Sequence, residues 1–211
     1  FGNHIDEDGN GGDDNSGQEE SAIINKAELE ENGEVVHMYE ISSSDDFQNK
    51  WKNINPTKDD SIIINFHGDQ NSVKYMNLDA MDKKNAGYVY LFACNAADQK
   101  VKNNFAERFF NANSFSCMIA CDGTNYRQTV TVPHHKWWDI ANLFDKTQYY
   151  VKLSVVKNNV DIGPSEFSMG YVAYTKDAES SDKNSVGSIG NRFNGITKLI
   201  EAAHKYHENL K

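Results

Sequence analysis

Apolar residues along this chain come in two kinds of run. Ser61-Ile62-Ile63-Ile64-Asn65-Phe66 and Gly87-Tyr88-Val89-Tyr90-Leu91-Phe92-Ala93 are nearly continuous apolar stretches, the pattern of strands buried on both faces of a parallel sheet. Residues 115–121 make a third such strand, and residues 35–41 a shorter β-prone run. Elsewhere the apolar positions recur at helical spacing. Phe47, Trp51 and Ile54 follow the cap residues Ser43, Ser44 and Asp45 and stop at Asn55-Pro56, which predicts a helix with one inward face. Residues 78–84 read as a short helix. Val101, Phe105, Arg108 and Phe109 mark another, beginning near Asp98. Ile196, Leu199, Ile200, Ala203 and Tyr206 predict a C-terminal helix, with His204 and His207 beside Glu201 and Glu208 on its solvated face. Residues 149–156 and 169–174 read as two strands joined through Asn158-Asn159 and Gly163-Pro164, a hairpin at the sheet edge. Residues 177–188 read as loop. The order β-α-β-α-β-α-β predicts an α/β fold. Its central sheet is expected to be mostly parallel, with helices on both faces and an antiparallel edge hairpin.

The first twenty-two residues depart from this pattern. They are rich in Gly, Asn, Asp and Ser, too polar to offset the entropy of ordering, and read as an acidic, disordered linker ahead of one domain over residues 34–211. Asp6, Asp8 and Asn10 match the opening of a calcium loop, but Gly17 stands where the bidentate Glu belongs, so a solvated linker is the stronger reading and calcium the weaker. The start Phe1-Gly2-Asn3-His4 carries neither Met nor a basic leader, as expected of a piece cut from a longer protein.

The net charge of −10 makes nucleic acid an unfavourable partner, because an acidic chain repels phosphate backbones. No apolar run is long enough to predict a membrane span. The three cysteines, Cys94, Cys117 and Cys121, do not form a disulfide framework. Cys117 and Cys121 sit on one strand, about 13 Å apart at the usual rise, and read as buried free thiols.

Ligands of open parallel sheets bind beyond the carboxyl ends of the strands. His67 and Cys94 each follow one of the two apolar runs directly. If those strands are neighbours, an imidazole and a thiol share one crevice, the pairing that nucleophilic thiol chemistry needs. Gly68 lets its N–H approach a substrate oxyanion, and the N–H of Cys94, expected near a helix start, is a second candidate donor. The adjacent His134 and His135 diverge and lack Cys or Glu partners, so no metal site is predicted there. Trp137 and Trp138 read as packing or groove-lining residues.

The stretch IIINFHGD…YVYLFACNAAD…FAERFFNANSFSCMIACDGT resembles the caspase-like clan of cysteine peptidases. Within that clan it resembles the bacterial caspase-like and CHAT-like domains of large secreted, surface or Rhs-type toxin proteins. The likeness covers about residues 35–126. It implies a caspase-like three-layer sandwich and hydrolysis of peptide bonds by a Cys94–His67 dyad. It also implies oxyanion donors at Gly68 and Cys94, a protein or peptide substrate, no cofactor, and export or surface attachment as part of a larger bacterial protein. Asp69, Asn95 and Asp122 are the pocket candidates. The short interval from His67 to Cys94 departs from the clan. So does Phe92, which stands where several members carry an acid, so cleavage after Arg or Lys gains no support there. Two further readings stand beside the peptidase. One is a catalytically silent caspase-like scaffold; the other is a calcium-responsive interaction domain.

Overall fold

The structure is a computed structural model that describes residues 16–132, 148–156, 169–176 and 184–210. The calcium-loop residues Asp6, Asp8 and Asn10, and the stretch from His134 to Trp138, lie outside the described residues.

The two long apolar runs are β1 (Ser61–Asn65) and β2 (Asn85–Phe92), paired in parallel. Between them lies only a single 3-10 turn, Leu78–Ala80, in place of the longer helix expected over 78–84. β2 pairs in parallel with β3 (Ser114–Asp122). β3 then pairs antiparallel with β6 (Gly170–Lys176), and β6 antiparallel with β7 (Asn184–Gly190). The five-stranded sheet, ordered β1-β2-β3-β6-β7, is therefore mixed rather than mostly parallel. A second sheet, β4-β5-β8, is built from β4 (Thr124–Val132), β5 (Gln148–Val156) and β8 (Arg192–Asn194).

The hairpin expected between residues 149–156 and 169–174 does not form, because its two strands lie in different sheets. Burial explains the separation. Residues 170–175 of β6 are all buried, as a central strand requires. In β5, Val151, Leu153 and Val155 are buried while Lys152 and Ser154 are only partly covered, the alternation of a strand with one packed face. The edge hairpin is instead β6–β7, and β7 begins within residues 177–188, read from the sequence as loop.

Successive side chains of the central strands point to opposite faces and so feed two cores. On one face Val89, Leu91, Met118, Ala120, Val172 and Tyr174 meet helix α2 (Ser44–Asn53) and helix α3 (Phe105–Ala112), through Phe47, Trp51, Phe105, Phe109 and Phe110. On the other face Tyr90, Phe92, Cys117, Ile119, Cys121 and Tyr171 meet Leu29 of α1 (Ser16–Glu31), Val151, Leu153 and Val155 of β5, and Ile196, Leu199 and Ala203 of α4 (Ile196–Glu208). Helices thus cover both faces of the mixed sheet.

Local chemistry sets the helix ends. Ser43 caps α2, its Oγ accepting from the Asp46 N–H at 3.1 Å. Asn104 caps α3, accepting from the Glu107 N–H at 2.9 Å, while Glu107 accepts from the Asn103 N–H at 2.8 Å. α3 starts at Phe105 rather than near Asp98, because Asn103 (φ 57°) holds left-handed backbone that a continuous helix excludes. α4 has no side-chain cap of its own at Gly195. Glu28 of α1 supplies one, accepting from the Ile196 N–H at 3.2 Å and the Thr197 N–H at 2.9 Å. Helix therefore occupies residues 16–22, which composition had assigned to the linker.

Two other expectations change. Residues 35–41 carry no strand, and Val35, Met38 and Tyr39 are exposed; β propensity alone supplies no ladder partner. His204 and His207 do not form a solvated face. The His204 ring lies 4.0 Å from the Tyr88 ring, centroid to centroid, and His207 Nδ1 lies 3.0 Å from Tyr88 Oη.

Candidate functional site

The register of β1 and β2 decides where the candidate dyad sits. Asn65 pairs with Phe92, and two residues further along each strand come His67 and Cys94. Parallel neighbours lie about 4.8 Å apart, so both residues leave the same rim of the sheet. Both are half-buried. Behind His67 the chain closes into a tight antiparallel loop, with the Lys74 N–H donating to His67 O and the Asp69 N–H to Ser72 O, both at 2.8 Å. Gly68 faces Val73 between those two bonds, so the loop pairing leaves the Gly68 N–H unused. A Cβ on Gly68 would stand 2.9 Å from the Ala93 Cβ and 2.9 Å from Val73 Cγ2. Glycine therefore lets the His67 loop rest directly on the residue before Cys94. The loop is also tied to α3, through the Phe105 N–H to Gln70 O at 2.8 Å and through Arg108 to Asn71 O.

Cys94 itself is set by a second brace. The Asn95 N–H donates to Gly123 O at 2.8 Å and the Ala97 N–H to Cys121 O at 3.1 Å, fixing the end of β2 against the end of β3. Gly123, at φ +145°, turns the chain out of the main sheet into β4. That turn carries Asn125 over Cys94, and the Asn125 N–H donates to Cys94 Sγ at 3.4 Å. The expected oxyanion donor at the Cys94 amide loses its helix, since α3 begins only at Phe105.

The pocket candidates have structural duties. Asp69 Oδ1 accepts from the Asn71 N–H at 2.6 Å and the Ser72 N–H at 2.8 Å, closing the loop behind His67. Asp122 is fully buried, and its oxygens accept from the Gln99 N–H at 3.3 Å and the Met169 N–H at 2.8 Å. Asn95 supplies the left-handed turn after Cys94. The two carboxylates thus hold backbone N–H groups, and Asn95 sets the path of the chain out of β2.

The residues that sequence reasoning missed come from β4 and β6. Tyr171 Oη donates to Asn125 Oδ1 at 2.9 Å. Arg127, two residues beyond Asn125 and so on the same face of β4, lies over the Phe92 ring with Cζ 5.3 Å from the centroid. Its three guanidinium nitrogens are buried without a hydrogen-bond partner, although the residue as a whole is only half-buried. Burial pushes the Arg127 guanidinium below its ordinary value, against the opposing pull of Tyr171, Cys121 and Cys94. The one signal in the sequence is a lone Arg two places after an Asn on an unrecognised strand.

The other thiols are inert by environment. All three cysteines are free. Burial pushes Cys117 up to about 12 and Cys121 higher still, and the Cys121 thiol faces Leu91 O at 3.9 Å. Burial likewise raises Tyr171 well above the usual phenol range. Among the described residues no cluster of His, Cys, Asp and Glu is placed to hold a metal ion, and no helix is long and apolar enough to cross a membrane. In comparisons with known proteins, the chain matches no family model, no curated protein and no solved structure.

Proposed function

We propose that this chain is a caspase-like cysteine peptidase with Cys94 as nucleophile and His67 as general base and acid. The observation that carries the reading is the parallel, in-register pairing of β1 with β2, two residues short of His67 and Cys94. The Asn125 N–H on Cys94 Sγ adds to it. In this mechanism the Cys94 thiolate attacks the scissile carbonyl carbon and the Gly68 N–H donates to the developing oxyanion. Collapse breaks the C–N bond, and His67 gives its proton to the leaving amine. Water, deprotonated by His67, then cleaves the thioester and restores the thiol–imidazole pair.

The test is selective labelling. Near neutral pH, iodoacetamide on the native chain is expected to modify Cys94 alone, because Cys117 and Cys121 are held as buried thiols. A peptide acyloxymethyl ketone is expected to form a thioether at Cys94 in wild type and none in Cys94→Ala, with His67→Ala strongly slowed. Equal alkylation of all three thiols in the folded chain, or no ketone adduct at Cys94, refutes the peptidase. A specific feature favours the silent-scaffold reading: a crossover reduced to one 3-10 turn. Rapid alkylation of Cys94 by iodoacetamide without any peptide-directed labelling is the result that selects it.

A further inference from the structure

The two edges of the five-stranded sheet are defended unequally. β7, at one edge, is a polar strand with two glycines. Its pairing with β6 is interrupted by register shifts at Gly170, Tyr171 and Val172. Irregularity of this kind keeps an edge from pairing with another chain. β1, at the other edge, has no such device. Ser61-Ile62-Ile63-Ile64-Asn65 contains no charge, proline or glycine, and its register with β2 runs without a shift. No backbone hydrogen bond from any other described residue reaches its outer side. Ile62 and Ile64 pair with Val89 and Leu91 and share their face, under α2 and α3. Ile63 pairs with Tyr90 and lies on the opposite face. Three consecutive isoleucines suit a strand in the interior of a sheet, yet Ile63 is 37% exposed.

We propose that β1 is an interface between two copies of this chain, in which the two β1 strands pair antiparallel about a two-fold axis at Ile63. The strand's own symmetry selects the partner. Turned about Ile63, Ser-Ile-Ile-Ile-Asn lies against Asn-Ile-Ile-Ile-Ser. Ile63 then meets the partner's Ile63, Ile62 meets the partner's Ile64, and Ser61 meets the partner's Asn65. Each apolar side chain is opposed by an apolar one and the polar ends pair with each other, as a self-complementary contact requires. The register is fixed by the faces. A slip of one residue would set Ile62 against the partner's Ile63, side chains that belong to opposite faces of the sheet. With the axis perpendicular to the sheet, the face under α2 in one copy continues into the same face of the other. The two sheets become one, and Ile63 is covered by its own counterpart. The contact is a single strand of five residues, so the association is reversible rather than permanent. It stands on β1 alone and is independent of the peptidase reading.

The test is the oligomeric state of the intact chain under reducing conditions. Sedimentation equilibrium from about 1 µM to about 1 mM is expected to show a monomer–dimer equilibrium. Ile63→Lys sets two like charges directly opposite each other and is expected to weaken the dimer at least about tenfold. Val186→Lys on β7, where the valine is exposed to the same 37%, is expected to leave it unchanged. Folding of both variants is checked by circular dichroism. The register is read by cross-linking in a Cys94→Ala background, with a bis-thiol reagent of about 5 Å reach, the separation of opposed Cβ atoms. Ile63→Cys is expected to link to itself. Ser61→Cys and Asn65→Cys are expected to link only when the two are mixed, because each lies about 13 Å along the strand from its own counterpart. A monomer throughout the concentration range overturns the inference and leaves the edge to an extended segment of another protein. So does a dimer undiminished in folded Ile63→Lys, or linking of Ser61→Cys to itself. Where Ile63→Lys does not fold, the cross-linking pattern decides.

Discussion

Replacing Arg127 by Met should make the ligand-free protein more stable. Methionine keeps the unbranched apolar stem and removes the three buried, unpartnered nitrogens. Each buried donor left without a partner costs about 1–3 kcal/mol. The contact with Phe92 returns about 0.5–2 kcal/mol of that. With partial relaxation around the charge, the net gain for Arg127→Met is roughly 1–4 kcal/mol, the range found when buried charged groups give way to apolar ones. For a chain of this size each kcal/mol moves Tm by about 2–4 °C. The assay is equilibrium urea unfolding, with the midpoint rising and the m-value unchanged. Arg127→Lys, which leaves a charge in the same place, should show no such gain. A lower midpoint for Arg127→Met in the ligand-free state refutes the reasoning, because it would mean that the guanidinium is well satisfied as it stands.

Three other outcomes follow from the same structure. Gly68→Ala places a methyl group 2.9 Å from both the Ala93 Cβ and Val73 Cγ2; it should destabilise the chain by about 1–3 kcal/mol and slow alkylation of Cys94, read by urea unfolding and by mass spectrometry of the adduct. Glu28→Ala strips the cap from α4 and should cost about 1–2 kcal/mol, with the loss seen in hydrogen exchange at Ile196 and Thr197 before it is seen in β2. Asp60 accepts from Thr57 N–H at 2.7 Å and Thr57 Oγ1–H at 2.8 Å, and the backbone bond, then the hydroxyl bond, hold its carboxyl below 3.8. Its contribution is therefore complete above that value and is lost as pH falls through the lower folded-state value, so Asp60→Asn should flatten the acid limb of a stability–pH curve and leave the Tm shift between variant and wild type constant from pH 5 upward.

The parts of the fold that could be read in advance are those whose burial is written locally. The runs at 61–66, 87–93 and 115–121 are apolar on consecutive positions; the last two became strands covered on both faces, whereas the first became the edge strand β1, which leaves Ile63 exposed. Helix α2 announced itself through Ser43 and the Phe47–Trp51 spacing. The division of β5 from β6 was also written in the chain, since Val151, Leu153 and Val155 alternate with polar residues whereas Tyr171-Val172-Ala173-Tyr174 does not. The first pattern belongs to a half-covered sheet and the second to a central strand. Other elements carry no such signature. β4, Thr124-Asn125-Tyr126-Arg127-Gln128-Thr129-Val130-Thr131-Val132, begins with polar residues, and β7 is a polar edge strand with two glycines. Their strand character comes from the partners that pair with them, not from local pattern.

The same contrast runs through the site. His67 and Cys94 were legible because each ends a recognisable strand, and parallel neighbours in an open sheet deliver their next residues to one rim. Arg127 was not, because in a polar stretch an arginine is presumed to face water. What buries it is long-range: Gly123 turns β4 out of the main sheet, β5 pairs along it from Thr124 to Val132, and Phe92 comes up from β2. Burial of this kind is set by elements distant in the chain, which no local pattern announces. A residue placed by its own strand is thus easier to find in a sequence than one whose surroundings come from three other strands. His67 and Cys94 belong to the first kind and Arg127 to the second, since its burial depends on β4, β5 and Phe92 meeting.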